Sequence, residues 1–273
     1  MNFVDTHCHI QSAGLTVGER STRELWAKAP ELTVDGIVQE ARQAGVAQMI
    51  CVGCDLDDSK LAIETTVKHE GVFASIGLHP HEAQHYADFP DKLAEFAALA
   101  NSPKVVAIGE CGLDFYYSHS PKADQIKVLE FQMQLALDHN LPLIFHVRDA
   151  FDDFWPVFGN FTGIRGVLHS FTDNLSNMEH AVSEGLYIGV NGIATFAKQE
   201  PQQAMYRSIP DAHLLLETDA PFLTPVPFRG TICKPKHIVH TAEYLAGLRN
   251  VDLAKISSVT KENTRKLFNL QEP

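Results

Sequence analysis

Val72-Phe73-Ala74-Ser75-Ile76-Gly77-Leu78 runs seven residues without a charge. Near-continuous apolar stretches of this kind mark strands covered on both faces, the condition of a parallel sheet. Working outward, similar runs predict strands over Asn2–Ile10, Val46–Gly53, Val72–Pro80, Val105–Asp114, Leu141–Asp149, Gly166–Phe171, Leu186–Gly192 and Leu214–Ala220. Helical periods lie between them. Ile126, Leu129, Met133 and Leu137 recur at three- and four-residue spacing, and an alanine-rich helix over Asp91–Ala100 follows Pro90. Further helices are expected over Thr33–Ala44, Ser59–His69, Ser176–Glu184, His237–Arg249 and Val251–Leu267. Strands alternating with helices imply an α/β protein with a parallel sheet. Eight of them suit one (β/α)8 TIM barrel over residues 1–273, a length such barrels reach as a single domain. The rival is an open doubly wound sheet, but no Gly-rich phosphate turn follows the first strand. Gln11–Glu31 is polar and irregular with one Trp, and is expected to be a long loop after that strand.

Composition narrows the classes. The chain is 45% apolar and 21% charged, an ordinary globular balance. Neither a membrane-length apolar run nor a signal-peptide preamble is evident, so a cytoplasmic protein is expected. The five cysteines are odd in number and scattered, and Cys51-Val52-Gly53-Cys54 has no second pair, so buried reduced thiols are expected. The net charge of −12 has the wrong sign for gripping long nucleic acid by counterion release.

The chemistry gathers where barrel strands end, because side chains there point toward the mouth at the carboxyl rim. The first strand closes in Asp5-Thr6-His7-Cys8-His9. With a period of two, both imidazoles face one side and can reach one cation. Later strands end in Glu110, in His146 with Arg148, in His169, and in Asp219. A lone histidine on an apolar strand is usually a satisfied core residue. Four of them with two carboxylates on one rim read instead as a divalent-metal site. His79 and Arg148 on the same rim suit phosphate oxygens, with a structural ion pair to Asp149 as the other reading of Arg148. His81 is expected to be a solvated loop residue.

Six strings carry a resemblance: Val4-Asp5-Thr6-His7-Cys8-His9, Gly77-Leu78-His79-Pro80-His81, Ala107-Ile108-Gly109-Glu110-Cys111-Gly112-Leu113-Asp114, His146-Val147-Arg148-Asp149-Ala150, Leu168-His169-Ser170-Phe171-Thr172, and Leu216-Glu217-Thr218-Asp219-Ala220-Pro221-Phe222-Leu223. In this order, over nearly the whole chain, they resemble the TatD-type metal-dependent deoxyribonucleases within the amidohydrolase-like barrels. The resemblance implies His7, His9 and Asp219 on one ion, His146 and His169 on a second, and Glu110 bridging them, a pair of cations able to clamp a phosphoryl oxygen and acidify a bridging water whose proton Asp219 can take. The imidazole and carboxylate donors suit Zn, Mn, Ni or Fe better than Ca, with Mg as a further option in assays. The chain departs from the family where Arg229-Gly230 is followed by Thr231-Ile232-Cys233-Lys234-Pro235, with Cys233 at a usual Asn position, and at Ser170 and Asp173.

Hydrolysis of phosphodiesters at DNA ends or in short nucleic-acid fragments is the leading expectation, with no membrane and no stable protein partner, as a monomer or small oligomer. An amidohydrolase cutting C–N or carboxylic esters, aminoacyl esters included, is the alternative, since such barrels host both. A non-catalytic metal-binding protein is the third reading, which the complete ligand set disfavours. Because the rim adds only Arg148, Arg229, Lys234 and Lys236 to a chain of net charge −12, few phosphates can be neutralised. The affinity for single-stranded oligonucleotides is expected to fall with salt at a log–log slope of about two or less. A slope near six across a salt series would reveal an extended phosphate track instead.

Overall fold

The computed structural model describes residues 1–15 and 21–271. Its eight strands are β1 (Phe3–Cys8), β2 (Val46–Val52), β3 (Val72–Ile76), β4 (Val105–Asp114), β5 (Leu143–Arg148), β6 (Gly166–Leu168), β7 (Tyr187–Val190) and β8 (Leu214–Leu216). They form one sheet in sequential order, and the described pairings are parallel. Beyond β8 the chain meets the end of β1, where His9 N–H donates to Ala220 O at 2.7 Å and Asp219 N–H to His7 O at 2.8 Å. Sequential parallel strands with the last beside the first define the (β/α)8 TIM barrel. The expected fold class is the one observed. The connecting helices are α1 (Ser21–Trp26), α2 (Val34–Gln43), α3 (Leu56–Lys68), α4 (Pro90–Ala98), α5 (Lys122–Asp138), α6 (Phe151–Phe158), α7 (Leu175–Ser183), α8 (Glu200–Ser208), α9 (Ile238–Arg249) and α10 (Leu253–Phe268). Among the described residues no helix is long and apolar enough to cross a membrane.

The chain divides into two compact units. One comprises Met1–Cys51, His69–Val72 and Ser170–Pro273 and carries β1, β7, β8 and nearly all of β2. The other comprises Val52–Lys68 and Phe73–His169 and carries β4, β5, β6 and nearly all of β3.

Several strands are shorter than their apolar runs suggest. β6 stops at Leu168 and β8 at Leu216, and beyond each the chain enters left-handed backbone, at Ser170 (φ +49°) and Asp219 (φ +59°). Such conformations cannot continue a ladder. His169 and Asp219 therefore sit in turns, not on strands. The stretch Gln11–Glu31 is not wholly irregular either. A 3₁₀ turn covers Ile10–Ser12, α1 follows, and residues 16–20 lie outside the described part. The Trp26 indole is fully buried and donates to His9 O at 2.9 Å, so this segment is pinned to the end of β1. Two helices are not legible in the sequence. α6 hides behind an interior Pro156, and α8 has a mostly polar composition.

The buried face of α5 differs from the apolar stripe. Gln125, Val128, Leu129, Gln132, Met133 and Ala136 are buried, while Ile126 and Leu137 are only half-buried. Two glutamines face the core because each replaces a missing backbone partner. The Gln132 amide accepts from Leu78 N–H at 2.8 Å and donates to Leu78 O at 3.0 Å. Gln125 accepts from Asp114 N–H at 2.8 Å and donates to Ser120 O at 2.9 Å. α5 thus clamps the segments that carry His79 and Asp114.

Two glycines are required by close approach. A Cβ on Gly77 would lie 2.2 Å from Glu110 N, and one on Gly112 (φ +150°) 1.8 Å from His146 O. Neither is sterically possible. These positions let the backbones bearing Glu110 and His146 come together.

Gln132→Leu keeps the volume and removes both bonds to Leu78. With two buried backbone groups left unsatisfied, urea unfolding should show a loss of about 2–4 kcal/mol. An unchanged midpoint would mean that water reaches Leu78.

Candidate metal centre

In the first unit, His7 near the end of β1 and His9, just past the strand at the start of the 3₁₀ turn, bring their side chains together, both buried. Their Nε2 atoms are 3.1 Å apart, and Asp219 Oδ1 lies 3.6 Å from the first and 3.4 Å from the second. An ion bonded at about 2.0–2.2 Å to nitrogen and oxygen keeps neighbouring ligand atoms roughly 3.0–3.6 Å apart. The three donors match that spacing, so residues and ion fit. Asp219 is held by its N–H bond to His7 O and in turn accepts from Phe222 N–H at 2.8 Å. Its left-handed backbone, in a residue with a Cβ, is the kind of local strain that functional turns retain.

Beneath this group Asp5 ties β1 to the turn after β8. Its Oδ1 accepts from Thr218 N–H at 2.9 Å and from His7 N–H at 3.3 Å, and its Oδ2 bonds the Thr218 hydroxyl at 2.5 Å. Burial pushes the Asp5 carboxyl up to about 8, against the lowering effect of these bonds. Another buried carboxyl, Glu217, accepts from Ser170 N–H at 2.6 Å and from the Asn191 amide at 3.2 Å. It holds the turn that follows His169.

In the second unit the centre is Glu110, on β4 and nearly out of solvent. One oxygen, Oε1, lies 2.7 Å from His146 Nδ1, 3.4 Å from His169 Nε2 and 3.7 Å from His79 Nε2. Atoms of His79, Glu110 and His146 lie close enough together to share an ion. Glu110, Gly112 and Asp114 share one face of β4 by alternation. The β4–β5 register sets Gly112 opposite His146 and Asp114 opposite Arg148. Asp114 Oδ2 accordingly reaches His146 Nε2 at 3.0 Å and His81 Nε2 at 2.9 Å. Its Oδ1 accepts from Tyr117 N–H at 2.9 Å.

The electrostatics follow. Burial works against a charged His146, but bonds to Asp114 and Glu110 prevail and carry it up to about 9. Burial also opposes a charged Asp114, and the two imidazoles still hold its carboxyl well below the usual range. Burial drives His79 well below the ordinary imidazole value, with His146 and His81 opposing the pull of Glu110.

Of the candidate ligands read from the sequence, His7, His9 and Asp219 gather in the first unit, and Glu110, His146 and His169 in the second. Sequence reasoning missed Asp114, although its two-residue spacing from Gly112 and Glu110 is visible there. His81 is no solvated loop residue but half-buried against Asp114. Arg148 makes no ion pair among the described residues, so the Asp149 alternative does not hold. It lies over the Tyr116 ring at 4.1 Å and the Tyr117 ring at 4.8 Å. Arg229 lies over Phe196 at 3.7 Å. Lys234 and Lys236 both bind Glu40 Oε2, at 2.6 and 2.8 Å, and hold that carboxyl below its ordinary value. The five cysteines are free thiols, Cys54 being half-buried rather than buried.

Buried imidazoles and carboxylates at the carboxyl ends of barrel strands, in each of the two units, are the donor set of a metal-dependent hydrolase. The chain belongs to the TatD related DNase family, whose model matches residues 4–269. It is 36% identical over 250 residues to the 3'-5' ssDNA/RNA exonuclease TatD of Edwardsiella piscicida, covering 87% of this chain and 94% of that one. It is 31% identical over 268 residues to the metal-dependent hydrolase YabD of Bacillus subtilis, covering 97% and 98%. The crystal structure of YjjV, a TatD homolog from Escherichia coli, superposes with a TM-score of 0.85 at 27% identity over 98% of each chain.

In metal-free protein the His146 proton should persist to about pH 9. Its folded value is raised, so this group's contribution to stability is full below the unfolded value near 6.5 and is lost as pH rises through about 9. Histidine NMR should show the late titration, and Asp114→Asn should lower it. A His146 titration at or below the ordinary value would contradict the hydrogen-bond geometry.

Proposed function

We propose that this chain hydrolyses phosphodiester bonds at the ends of single-stranded DNA or RNA and in short nucleic-acid fragments. In this reading residues 1–273 act as one domain, and His7, His9, Glu110, His146, His169 and Asp219 hold two divalent ions. The observation that carries it is Glu110 Oε1 with three imidazole nitrogens within 3.7 Å. The triad of His7, His9 and Asp219 has the spacing of a second ligand set. Relatives named as 3'-5' ssDNA/RNA exonucleases support the substrate class. Zn, Mn, Ni and Fe suit this imidazole and carboxylate mix, with Mg as a further option in assays.

Ions bound there would polarise a phosphoryl oxygen and acidify an attacking water. The protein's own part is to receive the proton and orient the phosphate. Asp219, whose Oδ1 lies beside both His7 and His9, takes the proton on its carboxylate as general base. His79, uncharged by burial and with its Nδ1 accepting from His81 N–H, donates from Nε2 to a phosphate oxygen. Arg148 and Arg229, which pair with no carboxylate among the described residues, offer guanidinium forks to phosphate oxygens. Lys234 joins the substrate only by giving up Glu40. Free thiols agree with a cytoplasmic place. The C–N or carboxylic ester alternative has only likeness of fold behind it, and fold does not select chemistry.

Glu110→Gln should weaken metal uptake and reduce cleavage of a labelled single-stranded oligonucleotide. Asp219→Asn should lower kcat at least about a hundredfold, since ligand and base are lost together. Chelation should abolish wild-type cleavage. Wild-type rates in either variant at saturating metal would place hydrolysis elsewhere.

A further inference from the structure

The loop after β4 exposes two aromatic rings where an acidic protein would be expected to show charge. Tyr116 is 59% exposed and Tyr117 51%. They meet edge to face with centroids 4.8 Å apart, and Tyr117 lies parallel to His119 at 5.7 Å and 7°. The Arg148 guanidinium covers both tyrosines and pairs with no carboxylate among the described residues. Its neighbour Lys122 shows the contrast, bound to Asp153 at 2.6 Å.

This ledge is fixed to the candidate centre. Tyr117 N–H binds Asp114, and Asp114 binds His146 and His81. The chain of bonds runs from ledge to imidazole within the second unit. We infer that Tyr116, backed by Tyr117 and Arg148, is a stacking platform for an unpaired nucleobase, with the guanidinium on the adjoining phosphate. The inference rests on the proposed phosphodiesterase reading and deepens it by naming the determinant of strandedness.

Aromatic rings beside a guanidinium are how proteins hold single strands without reading sequence, because every base has a π face. A guanidinium already on a ring keeps its fork of donors for a phosphate. Duplex bases hide their faces in the stack, so such a ledge selects unpaired ends. Sequence preference should be slight, since stacking does not read base edges.

The test is fluorescence anisotropy of metal-loaded protein with a labelled phosphorothioate octamer, with cleavage of the ordinary octamer followed in parallel. Tyr116→Ala should weaken binding about tenfold, and Tyr116→Phe should restore it to near the wild-type value. Against an octamer of tetrahydrofuran abasic units, with the same phosphates, Tyr116→Ala and wild type should bind alike. Unchanged octamer affinity in Tyr116→Ala, or an equal loss on the abasic strand, would overturn the platform. So would failure of the wild type to bind the octamer. Absence of cleavage under every divalent ion would instead sink the phosphodiesterase reading, while the anisotropy still decides the platform.

Discussion

Glu110 is a carboxylate almost entirely removed from water, and a charge so placed is costly unless it is paired and hydrogen-bonded. Around it the second unit is arranged in layers. His146, His169 and His79 surround one oxygen. Asp114 holds the far nitrogen of His146, and His81, Tyr117 and Gln125 hold Asp114. Each layer exists because the one inside it would otherwise be a buried unsatisfied group. A cation at the centre would relieve the same demand more completely.

The first unit solves the corresponding problem with fewer parts. His7 and His9 come together at the end of β1, but Asp219 joins them only through a strained turn held by His7 and by the Asp5–Thr218 link. Asp5 and Glu217 are carboxyl groups committed to backbone, not to substrate. Each fixes the turn after a strand, and the donor of that turn gains a single position. Preorganisation of this sort lets ligands wait in place and not be gathered on binding.

Surface charge is divided by the same logic. Lys234, Lys236, Lys122 and Arg249 are engaged with carboxylates, so their fields are largely cancelled locally. Arg148 and Arg229 are supported by rings and keep their donors for another partner. In a protein of net charge −12, recognition of an anion therefore depends on a few short-range contacts.

Apolar runs of strand length alternating with helical periods are sufficient to give the barrel, because alternation of this kind has few solutions. The pair His7 and His9 is legible from strand period alone, and Glu110, His146, His169 and Asp219 from their places after apolar runs. What the sequence could not show is everything that depends on contacts distant along the chain. β6 and β8 end early, and the turns beyond them take positive φ at Ser170 and Asp219. α5 turns two glutamines inward, against its apolar pattern, to serve Leu78 and Asp114. Lys234 is neutralised by Glu40, nearly two hundred positions away, whereas Arg148 meets tyrosines in place of Asp149. Local pattern is written in neighbouring residues. Which buried charge finds which partner is decided only when the fold removes water and every unpaired group must be satisfied by whatever lies beside it.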